Sequence, residues 1–569
     1  MTKVLLIAVS ILVSSSLFSQ EPSSIYIIKF NDKSNSNYSI DQPGFFLSER
    51  AVERRQKFGI PIKESDLPIS PGYLRLIIDQ GSQLIVKSKW LNLVIVNNDN
   101  PDKIESISKL SFVKEVIRAD YLFKKQPEYP NNDLSQSKPF FRNETFSNQP
   151  LFPHVLKSSD AIMEFDYGAS FNQIDMLNGI PLHNEGFTGE GMVIAVLDAG
   201  FRRVDQMEVF DTLWANDRIL GTRDYVEPGN NVFNDTIHNH GMKVLSTMGG
   251  NLPGQLVGTA PHADYYLIRT EDATAEYLME EYFWVQGAEY ADSLGADLIN
   301  SSLGYTEFDD PLENHTYEDM DGNTTPITIG ADLAAEKGIL VCNSAGNSAG
   351  NPWLYIGAPA DGDSVFTIGA VDSSGNWAGF SSIGPTFDGR LKPNVVAQGK
   401  LAVIANPSGG ISLGSGTSFS SPIIAGMTAC LWQANPDFNN MKIMQAIQQS
   451  ASQYNNPDDY MGYGIPNYEA ANNILGINEV TLIENQMVVR VSPNPFKESL
   501  FLSIDLIQSS MINISLSEIT GKMVYNREVK GRPGRNELVM KDIQKLTNGI
   551  YILQLRSSHQ VKSIKVVKH

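Results

Sequence analysis

Cysteine and histidine are scarce in this chain of 569 residues, which has two cysteines and eight histidines. Cys342 and Cys430 are too few for a disulfide scaffold, and neither has the spacing of a metal or redox motif. We expect two buried small apolar side chains. A single disulfide between them is the alternative if the compartment is oxidising. Stability must therefore come from hydrophobic cores, and a hydrophobic fraction of 42% is enough to build several.

Long apolar runs are also rare. The one at the N-terminus follows Lys3, covers residues 4–13 and gives way to small residues that end at Ser19. This pattern is typical of a signal peptide over residues 1–19, with cleavage near Ser19. No other stretch is long and apolar enough to predict a transmembrane segment.

Basic side chains are in the minority, since 44 Lys and Arg stand against 64 Asp and Glu, for a net charge of -20. The regions 21–150 and 481–569 are each slightly basic, so the acidic excess lies in residues 151–480. A region this acidic excludes nucleic acid and anionic membranes as partners. It is compatible with salt tolerance, calcium binding or a preference for cationic substrates.

Three short motifs of the central region carry an acid, an imidazole and a hydroxyl, in that order. Asp198 ends the apolar run MVIAVLDAG, which predicts a buried parallel strand that delivers a carboxylate at its C-terminal end. His240, in NHGMKV, begins a helical pattern. Ser418, in GSGTSFSSP, precedes the apolar stretch 423–432, so we expect it at the N-terminus of a buried helix.

These residue types suit nucleophilic catalysis. A serine hydroxyl is a weak nucleophile until a base takes its proton, and His240 is the candidate base, oriented by Asp198. The helix N-terminus at Ser418 favours negative charge on a carbonyl oxygen under attack. Asn347, in SAGN after a predicted strand at 338–342, is a second candidate donor to that oxyanion.

Further motifs occur in the same order: GTAPHA at 258–263, SLG at 302–304, FSSIGP at 380–385 and DGRLKP at 388–393. Taken together, the motifs resemble those of the subtilisin-like (subtilase) family of serine peptidases, over roughly residues 167–475. The resemblance implies a three-layer α/β domain with a mostly parallel central sheet. It also implies a secreted serine endopeptidase that forms an acyl-enzyme and needs no cofactor for catalysis.

The resemblance further implies a cleft in which an extended protein or peptide substrate pairs as an added strand. The residues that it assigns to this cleft are Ser302, Leu303, Gly304, Ala345 and Gly346.

Two positions depart from the family pattern without removing a catalytic group. Ala199 follows the acid where the family usually has Thr or Ser, and Lys243 stands where a second histidine is common. Lys243 would lower the pKa of His240 if it pointed inward. Both departures concern the hydrogen bonding around the acid and the imidazole. The alternative function is a catalytically inactive domain that binds peptides at the cell surface.

A rival enzyme class is suggested by GISLG at 410–414, which matches the nucleophile elbow of α/β-hydrolases. That class needs an acid and then a histidine after the serine, but only His559 and His569 follow Ser412, both near the C-terminus. We therefore interpret GISLG as a glycine-rich loop.

Structural calcium is a possible cofactor, because subtilisin relatives often bind it and one probable loop is rich in oxygen ligands. A solvated acidic loop is the commoner explanation, since the spacing does not fit an EF-hand. His238, two residues before His240, has no further metal ligands beside it, so the metal site stays unknown. The acidic and amide residues of the loop are Asp309, Asp310, Glu318, Asp319, Asp321 and Asn323.

Residues 20–125 predict a separate small α+β domain. We expect strands at 25–30, 74–78, 91–96 and 112–117, and helices at 48–58 and 101–110, the second capped by Asn100. Ahead of a subtilisin-like domain (161–480), this domain resembles the family's inhibitory propeptide, although an unrelated binding domain is the alternative. Residues 126–160, rich in Pro, Asn and Ser, predict a linker with a processing site.

Residues 485–569 alternate apolar and polar side chains between turn residues, which predicts a small all-β sandwich. SPNPF at 492–496 and LTNGIY at 546–551 resemble the C-terminal sorting domain of type IX secretion. The resemblance implies an extracellular or cell-surface location and the secretion machinery as a partner. A substrate- or carbohydrate-binding sandwich is the alternative.

Overall fold

The computed structural model describes residues 24–34, 36–123, 165–481, 488–506, 509–532, 534–557 and 561–569. The predicted signal peptide at 1–19 and the predicted linker at 126–160 lie outside these ranges. The chain divides into two compact units, residues 1–472 and 473–569. No helix within the described ranges has both the length and the apolarity to cross a membrane.

The first unit begins with an α+β domain. Its elements are β1 (Ile25–Phe30), α1 (Glu49–Lys57), α2 (Pro71–Ile78), β2 (Gln83–Ser88), β3 (Leu93–Asn97), α3 (Pro101–Ser108) and β4 (Val113–Arg118). The strands form an antiparallel sheet in the order β2-β3-β1-β4. Asn100 caps α3 as expected, because its side chain accepts from the backbone N–H groups of Asp102 and Lys103.

The strand predicted at 74–78 is wrong, because these residues belong to α2. Pro71 occupies the first turn of this helix, and the buried Tyr73 and Ile77 are four residues apart, so they share one helical face. The run LRLII is too short to show this period by itself. The strand that the sequence reading missed is β2, which follows the turn after α2.

Both faces of the N-terminal sheet are apolar, which explains the nearly continuous apolar run of β1. Ile28 and Phe30 pack with α2 and α3 in the domain's own core. Ile25 and Ile27 point to the opposite face, where they cluster with Met279 and other residues of the following domain. Because strand side chains alternate, one strand contributes to two cores.

The α/β domain follows. Its first half contains α4 (Phe171–Asp175), α5 (Ile180–Asn184), β5 (Val193–Asp198), α6 (Asp211–Ala215), β6 (Ile219–Asp224), α7 (His240–Gly249), β7 (Asn251–Leu252), β8 (Leu256–Val257), β9 (Asp264–Arg269) and α8 (Met279–Leu294). Its second half contains β10 (Leu298–Ser301), α9 (Pro326–Glu336), β11 (Leu340–Ser344), β12 (Phe366–Val371), β13 (Val395–Gln398), β14 (Ala402–Ala405), β15 (Ile411–Gly414), α10 (Thr417–Ala434), α11 (Asn440–Gln449) and α12 (Tyr468–Thr481).

Seven parallel strands form the central sheet, in the order β13-β12-β11-β10-β5-β9-β6. Helices α8 and α9 pack together on one face, where Ala195 and Leu197 of β5 meet Trp284 of α8. Helices α7 and α10 pack on the sheet from the other side. Strands buried on both faces need apolar residues at every position, and β5 is buried throughout. The predicted three-layer fold is confirmed.

Ser412 of the rival GISLG motif lies within β15, which pairs with β14 as an antiparallel hairpin. The segment is therefore a strand and not the glycine-rich loop that we expected. A nucleophile elbow needs a sharp turn from a strand into a helix, and a serine inside a hairpin strand does not provide it.

The second unit is the predicted β-sandwich. Its strands are β16 (Val488–Ser492), β17 (Leu500–Leu506), β18 (Ser510–Glu518), β19 (Met523–Gly531), β20 (Gly534–Met540), β21 (Gly549–Arg556) and β22 (Val561–Lys568). They form two sheets, β16-β17-β20 and β19-β18-β21-β22. The alternating Ile512, Ile514 and Leu516 point into the shared core with Leu502 of the facing sheet, which confirms the all-β prediction.

Charged side chains, as well as the apolar cluster, join the N-terminal domain to α8. Arg54 and Arg55 of α1 bond to Asp292, at 2.6 and 2.9 Å, and all three side chains are at most 4% exposed. One turn earlier on α8, Glu289 accepts from the Ser88 hydroxyl at 2.6 Å and from the backbone N–H of Trp90 at 2.9 Å. The N-terminal domain therefore covers one face of α8.

Candidate active site

The candidate catalytic residues gather where parallel strands end. Asp198 is the last residue of β5, and β10 and β11 lie beside it and end at Ser301 and Ser344. The predicted substrate residues follow directly: 302–304 after β10, and Ala345 and Gly346 after β11. Because the carboxyl ends of parallel strands meet at one edge, the sheet brings together residues that are far apart in sequence.

Asp198 and His240 form a buried pair. The imidazole Nδ1 lies 2.7 Å from Asp198 Oδ1, and the two side chains are 0% and 1% exposed. The close approach depends on Gly241, because a Cβ there would lie 2.7 Å from the carbonyl oxygen of Gly200 and 2.9 Å from the Asp198 Cβ. A larger residue would push the start of α7 away from β5.

The residue after Asp198 affects how the carboxylate is held. The backbone N–H of Ala199 donates to Oδ1 at 2.7 Å, on the oxygen that also meets His240. The other oxygen, Oδ2, is buried and has no hydrogen-bond partner among the described residues. Ala199 has no side-chain hydroxyl, so this family departure leaves the second oxygen without that donor.

Ser418 is the second residue of α10, which runs through a buried apolar stretch as predicted. Its hydroxyl donates to the carbonyl oxygen of Ser302 at 3.3 Å, and the Ser302 hydroxyl donates back to the Ser418 carbonyl at 2.9 Å. The neighbouring Phe419 ring lies 6.4 Å from the His240 imidazole, centroid to centroid. The start of α10 is therefore next to the Asp198–His240 pair.

The amide of Asn347 is oriented by a residue that the sequence reading missed. Asn347 Oδ1 accepts from the Thr417 backbone N–H at 2.9 Å and from its hydroxyl at 3.2 Å. A backbone N–H can only donate, so the amide oxygen must face Thr417 and the NH₂ group must face away. Thr417 also accepts from the Gly346 N–H at 3.1 Å. Its position immediately before Ser418 was the available signal.

The candidate cleft residues differ in exposure. Ser302, Leu303 and Ala345 are buried, and the Leu303 carbonyl accepts from Asn343 at 3.1 Å. Gly304 is exposed, and a Cβ placed there would meet nothing closer than 3.9 Å. The backbone at Gly304 is therefore open to another chain, as strand addition requires.

Lys243, the other family departure, lies one turn after His240 and is partly buried. Burial lowers its pKa below the usual 10.5, because the charged ammonium loses hydration.

The residues considered for calcium mostly make local hydrogen bonds. Asp310 accepts from the Leu312 N–H, Asp319 from Thr316 and Asp321 from the Asn323 N–H. Within the described ranges, no group of three or more His, Cys, Asp or Glu is arranged to hold a metal ion. Cys342 and Cys430 are both buried free thiols, and burial raises the pKa of each.

Three family models match successive parts of the chain. The "Subtilase family" model covers residues 189–464, the "Peptidase S8 propeptide domain, Bacteroidota" model covers 25–134, and the "Secretion system C-terminal sorting domain" model covers 490–569. The matches follow the order of the α+β domain, the α/β domain and the β-sandwich.

Characterised bacterial proteins are similar over the middle of the chain. Subtilisin NAT of Bacillus subtilis subsp. natto is 30% identical over 302 residues, which is 52% of this chain and 70% of the relative. Subtilisin of Bacillus pumilus is 29% identical over 302 residues, 52% of this chain and 97% of the relative.

Solved structures are more distant. Prenylagaramide maturation protease PagA has 22% identity and a TM-score of 0.42, covering 52% of this chain and 97% of that one. The self-cleaved protease domain of PatA has 23% identity and a TM-score of 0.40, covering 51% of this chain and 98% of that one.

The parallel sheet, the Asp198–His240 pair at its carboxyl edge and the helix that begins at Ser418 define a subtilisin-like protein. The chain belongs to the subtilase family. It carries a propeptide domain of the S8 type at its N-terminal side and a type IX secretion sorting domain at its C-terminal side.

Proposed function

We propose that this protein is a serine endopeptidase that cleaves protein or peptide substrates. The observation that carries the proposal is the buried Asp198–His240 hydrogen bond of 2.7 Å, with Ser418 at the adjacent helix start. An imidazole fixed in this way by a carboxylate presents its other nitrogen as a base.

In the proposed reaction, the Ser418 hydroxyl turns from the Ser302 carbonyl towards His240. His240 Nε2 takes the hydroxyl proton while Oγ bonds to the substrate carbonyl carbon, and Asp198 stabilises the imidazolium. The oxyanion is stabilised by the Asn347 NH₂ group and the Ser418 backbone N–H. His240 then protonates the leaving amine. In the second half of the reaction, His240 takes a proton from water as water attacks the acyl carbon, and it returns the proton to Ser418 Oγ as the acyl product leaves.

The substrate backbone would pair along the edge formed by Ser302, Leu303 and Gly304 on one side and Ala345 and Gly346 on the other. The exposed, open Gly304 supports this role. The chemistry needs no metal or organic cofactor, and any calcium would serve stability only.

We further propose that the protein is made as an inhibited precursor. Residues 1–19 are the signal peptide, 20–125 the inhibitory propeptide, 126–160 the linker that is cut, 161–480 the peptidase and 485–569 the sorting domain. The ionic and apolar contacts of the N-terminal domain with α8 support a propeptide that stays bound after folding. The mature enzyme would be extracellular or attached to the cell surface.

Intact-mass spectrometry of the chain without residues 1–19 tests these proposals, with Ser418→Ala as the matched control. We expect only the wild type to lose about its first hundred residues, and only the wild type to be labelled by a serine-directed phosphonate. If correctly folded, propeptide-free wild type is not labelled, the alternative of an inactive peptide-binding domain is favoured. If both proteins are cut alike, a host protease does the processing and the labelling decides.

A further inference from the structure

An acidic cluster lies at the same sheet edge as Asp198. The strand β9, next to β5, ends at Arg269, and the Thr270 N–H that follows donates to the Asp198 carbonyl at 3.1 Å. Glu271 comes next and is 1% exposed. On the other side of β5, the cleft residues after β10 lead directly to Tyr305, which is also 1% exposed. Glu271 and Tyr305 therefore lie in the segments that follow the two strands on either side of β5, which ends at the candidate acid.

Three more glutamates from the next stretch of chain join this cluster. Glu276 is partly buried, and Glu280 and Glu281 are fully buried in the first turn of α8. The Tyr305 phenol is close enough to all of these carboxylates that, after burial itself, their charges raise its pKa well above the usual range. We name Glu271, Glu276, Glu280, Glu281 and Tyr305 the acidic cluster.

The Tyr305 hydroxyl is the independent sign of a ligand. Its oxygen is buried and has no hydrogen-bond partner in the described part of the chain. A buried phenol normally finds a partner, because leaving it without one costs free energy. The charges of the nearby carboxylates act on this hydroxyl, and an incoming cationic donor would satisfy it.

The backbone holds the cluster in place. Glu280 accepts from the N–H groups of Asp272 and Tyr277, at 2.6 and 3.1 Å. Glu281 bonds to the His315 imidazole and accepts from the Ile327 N–H at 3.3 Å. Burial lowers the pKa of His315, but the bond to Glu281 outweighs this and raises it overall. The carboxylates of Glu280 and Glu281 are thus fixed before any ligand arrives.

The spread of these groups favours an organic cation over a metal ion. No three described acidic or imidazole groups converge as metal ligands do, whereas an ammonium or guanidinium carries several donors and can satisfy acceptors that lie apart. A substrate strand running along the exposed Gly304 passes directly beside Tyr305. A long basic side chain of that substrate is the group that has the required reach and charge.

We propose that the acidic cluster is a specificity subsite that binds a lysine or arginine side chain of the substrate close to the bond that is cut. The inference rests on the proposed endopeptidase function and names the class of peptide that this function selects. Charge-assisted hydrogen bonds of this kind should raise kcat/KM roughly 10- to 100-fold for a basic side chain over a neutral one of similar length.

The test uses the processed enzyme and quenched fluorescent peptides that differ at one position. Lysine, arginine, norleucine and glutamate are placed in turn at each of the positions flanking the cleaved bond. We expect one position at which lysine or arginine exceeds norleucine about 10- to 100-fold in kcat/KM. The ratio should fall as salt rises, because screening weakens the attraction.

Variants connect this preference to the cluster. Glu271→Gln and Glu276→Gln remove charge with little change of shape, and Tyr305→Phe removes only the hydroxyl; each should lower the lysine-to-norleucine ratio. Glu185→Gln is the matched control, since it removes one charge from an exposed residue outside the cluster, and the ratio should stay as in wild type. Phosphonate labelling of every variant shows that its active site is folded.

The outcomes separate the two proposals. If wild type is labelled by the phosphonate but cleaves norleucine and lysine peptides equally at every position, the subsite is rejected and the endopeptidase remains. The subsite is also rejected if all three cluster variants keep the wild-type ratio. If wild type is not labelled and cleaves no peptide, the endopeptidase proposal and the subsite fall together.

Discussion

Asp292 is the side chain whose replacement tests how the N-terminal domain is held on α8. It is fully buried, accepts from Arg54 at 2.6 Å and from Arg55 at 2.9 Å, and lies more than 230 positions from both in the sequence. Arg55 has a second carboxylate, Asp66, at 3.2 Å within its own domain. The change Asp292→Asn therefore mainly leaves the Arg54 guanidinium in a buried place without a counter-ion.

The expected magnitude follows from burial. Removing one partner of a buried ion pair costs about 3 to 5 kcal/mol, because the remaining charge is not rehydrated. At 1.36 kcal/mol for each factor of ten, undocking of the N-terminal domain should become roughly 150- to 5000-fold more favourable. The exposed pair Lys63–Glu336, whose side chains are 50% and 42% exposed, is the control. Glu336→Gln should cost less than about 1 kcal/mol.

Hydrogen exchange measured by mass spectrometry reads out the undocking, in a Ser418→Ala background that lacks the proposed nucleophile. Amides of α1 and of the first turns of α8 should exchange faster in Asp292→Asn by about the factor above, since exchange follows the local opening equilibrium. Amides of β5 and β12 should be unchanged, which shows that the α/β domain is intact. Equal exchange in Asp292→Asn and Glu336→Gln would refute the reasoning that the buried ion pair holds the domains together.

Two further changes test the site and the core. Asn347→Ala should reduce kcat by about 100- to 1000-fold with a small change in KM, the loss found when one oxyanion donor is removed from subtilisin; steady-state kinetics on one peptide checks this, and an unchanged kcat would remove Asn347 from the mechanism. Lys392 is buried, and burial lowers its pKa to about 7 from 10.5, so between these values the unfolded state binds more protons and stability should rise with pH. Lys392→Met should flatten this rise in urea unfolding of the Ser418→Ala protein at pH 7, 8.5 and 10, and equal slopes in the two proteins would contradict the assignment.

The sequence was most informative where a local pattern and a structural requirement coincide. The apolar run before Asp198 predicted a strand buried on both faces, and β5 is such a strand. The alternation around Ile514 predicted a sandwich strand, and β18 points those residues into the core. Both patterns extend over enough residues to be told from a helical period: β5 is apolar at every position before Asp198, and β18 alternates apolar and polar residues.

Prediction failed where the pattern was too short or the partner too far away. The five residues at 74–78 show neither period clearly, and only the preceding Pro71 indicates the start of a helix. The role of Thr417 depends on Asn347, 70 positions earlier, and no local rule connects a threonine to an amide at that separation. The acidic cluster assembles residues from the segment after β9, the first turn of α8 and the segment after β10, which only the parallel sheet brings together.

Helix α1 illustrates why docking was not foreseen. Its sequence ERAVERRQK is typical of a solvated charged helix, and charged residues are rarely buried without a partner. Arg54 and Arg55 are buried because Asp292 is supplied by another domain. Removal of the N-terminal domain would return Asp292 and Glu289 to solvent without their partners and leave the α/β domain with more uncompensated negative charge. The acidic balance of the central region is thus tied to a basic partner that the same chain provides, and buried ion pairs hold the two domains together.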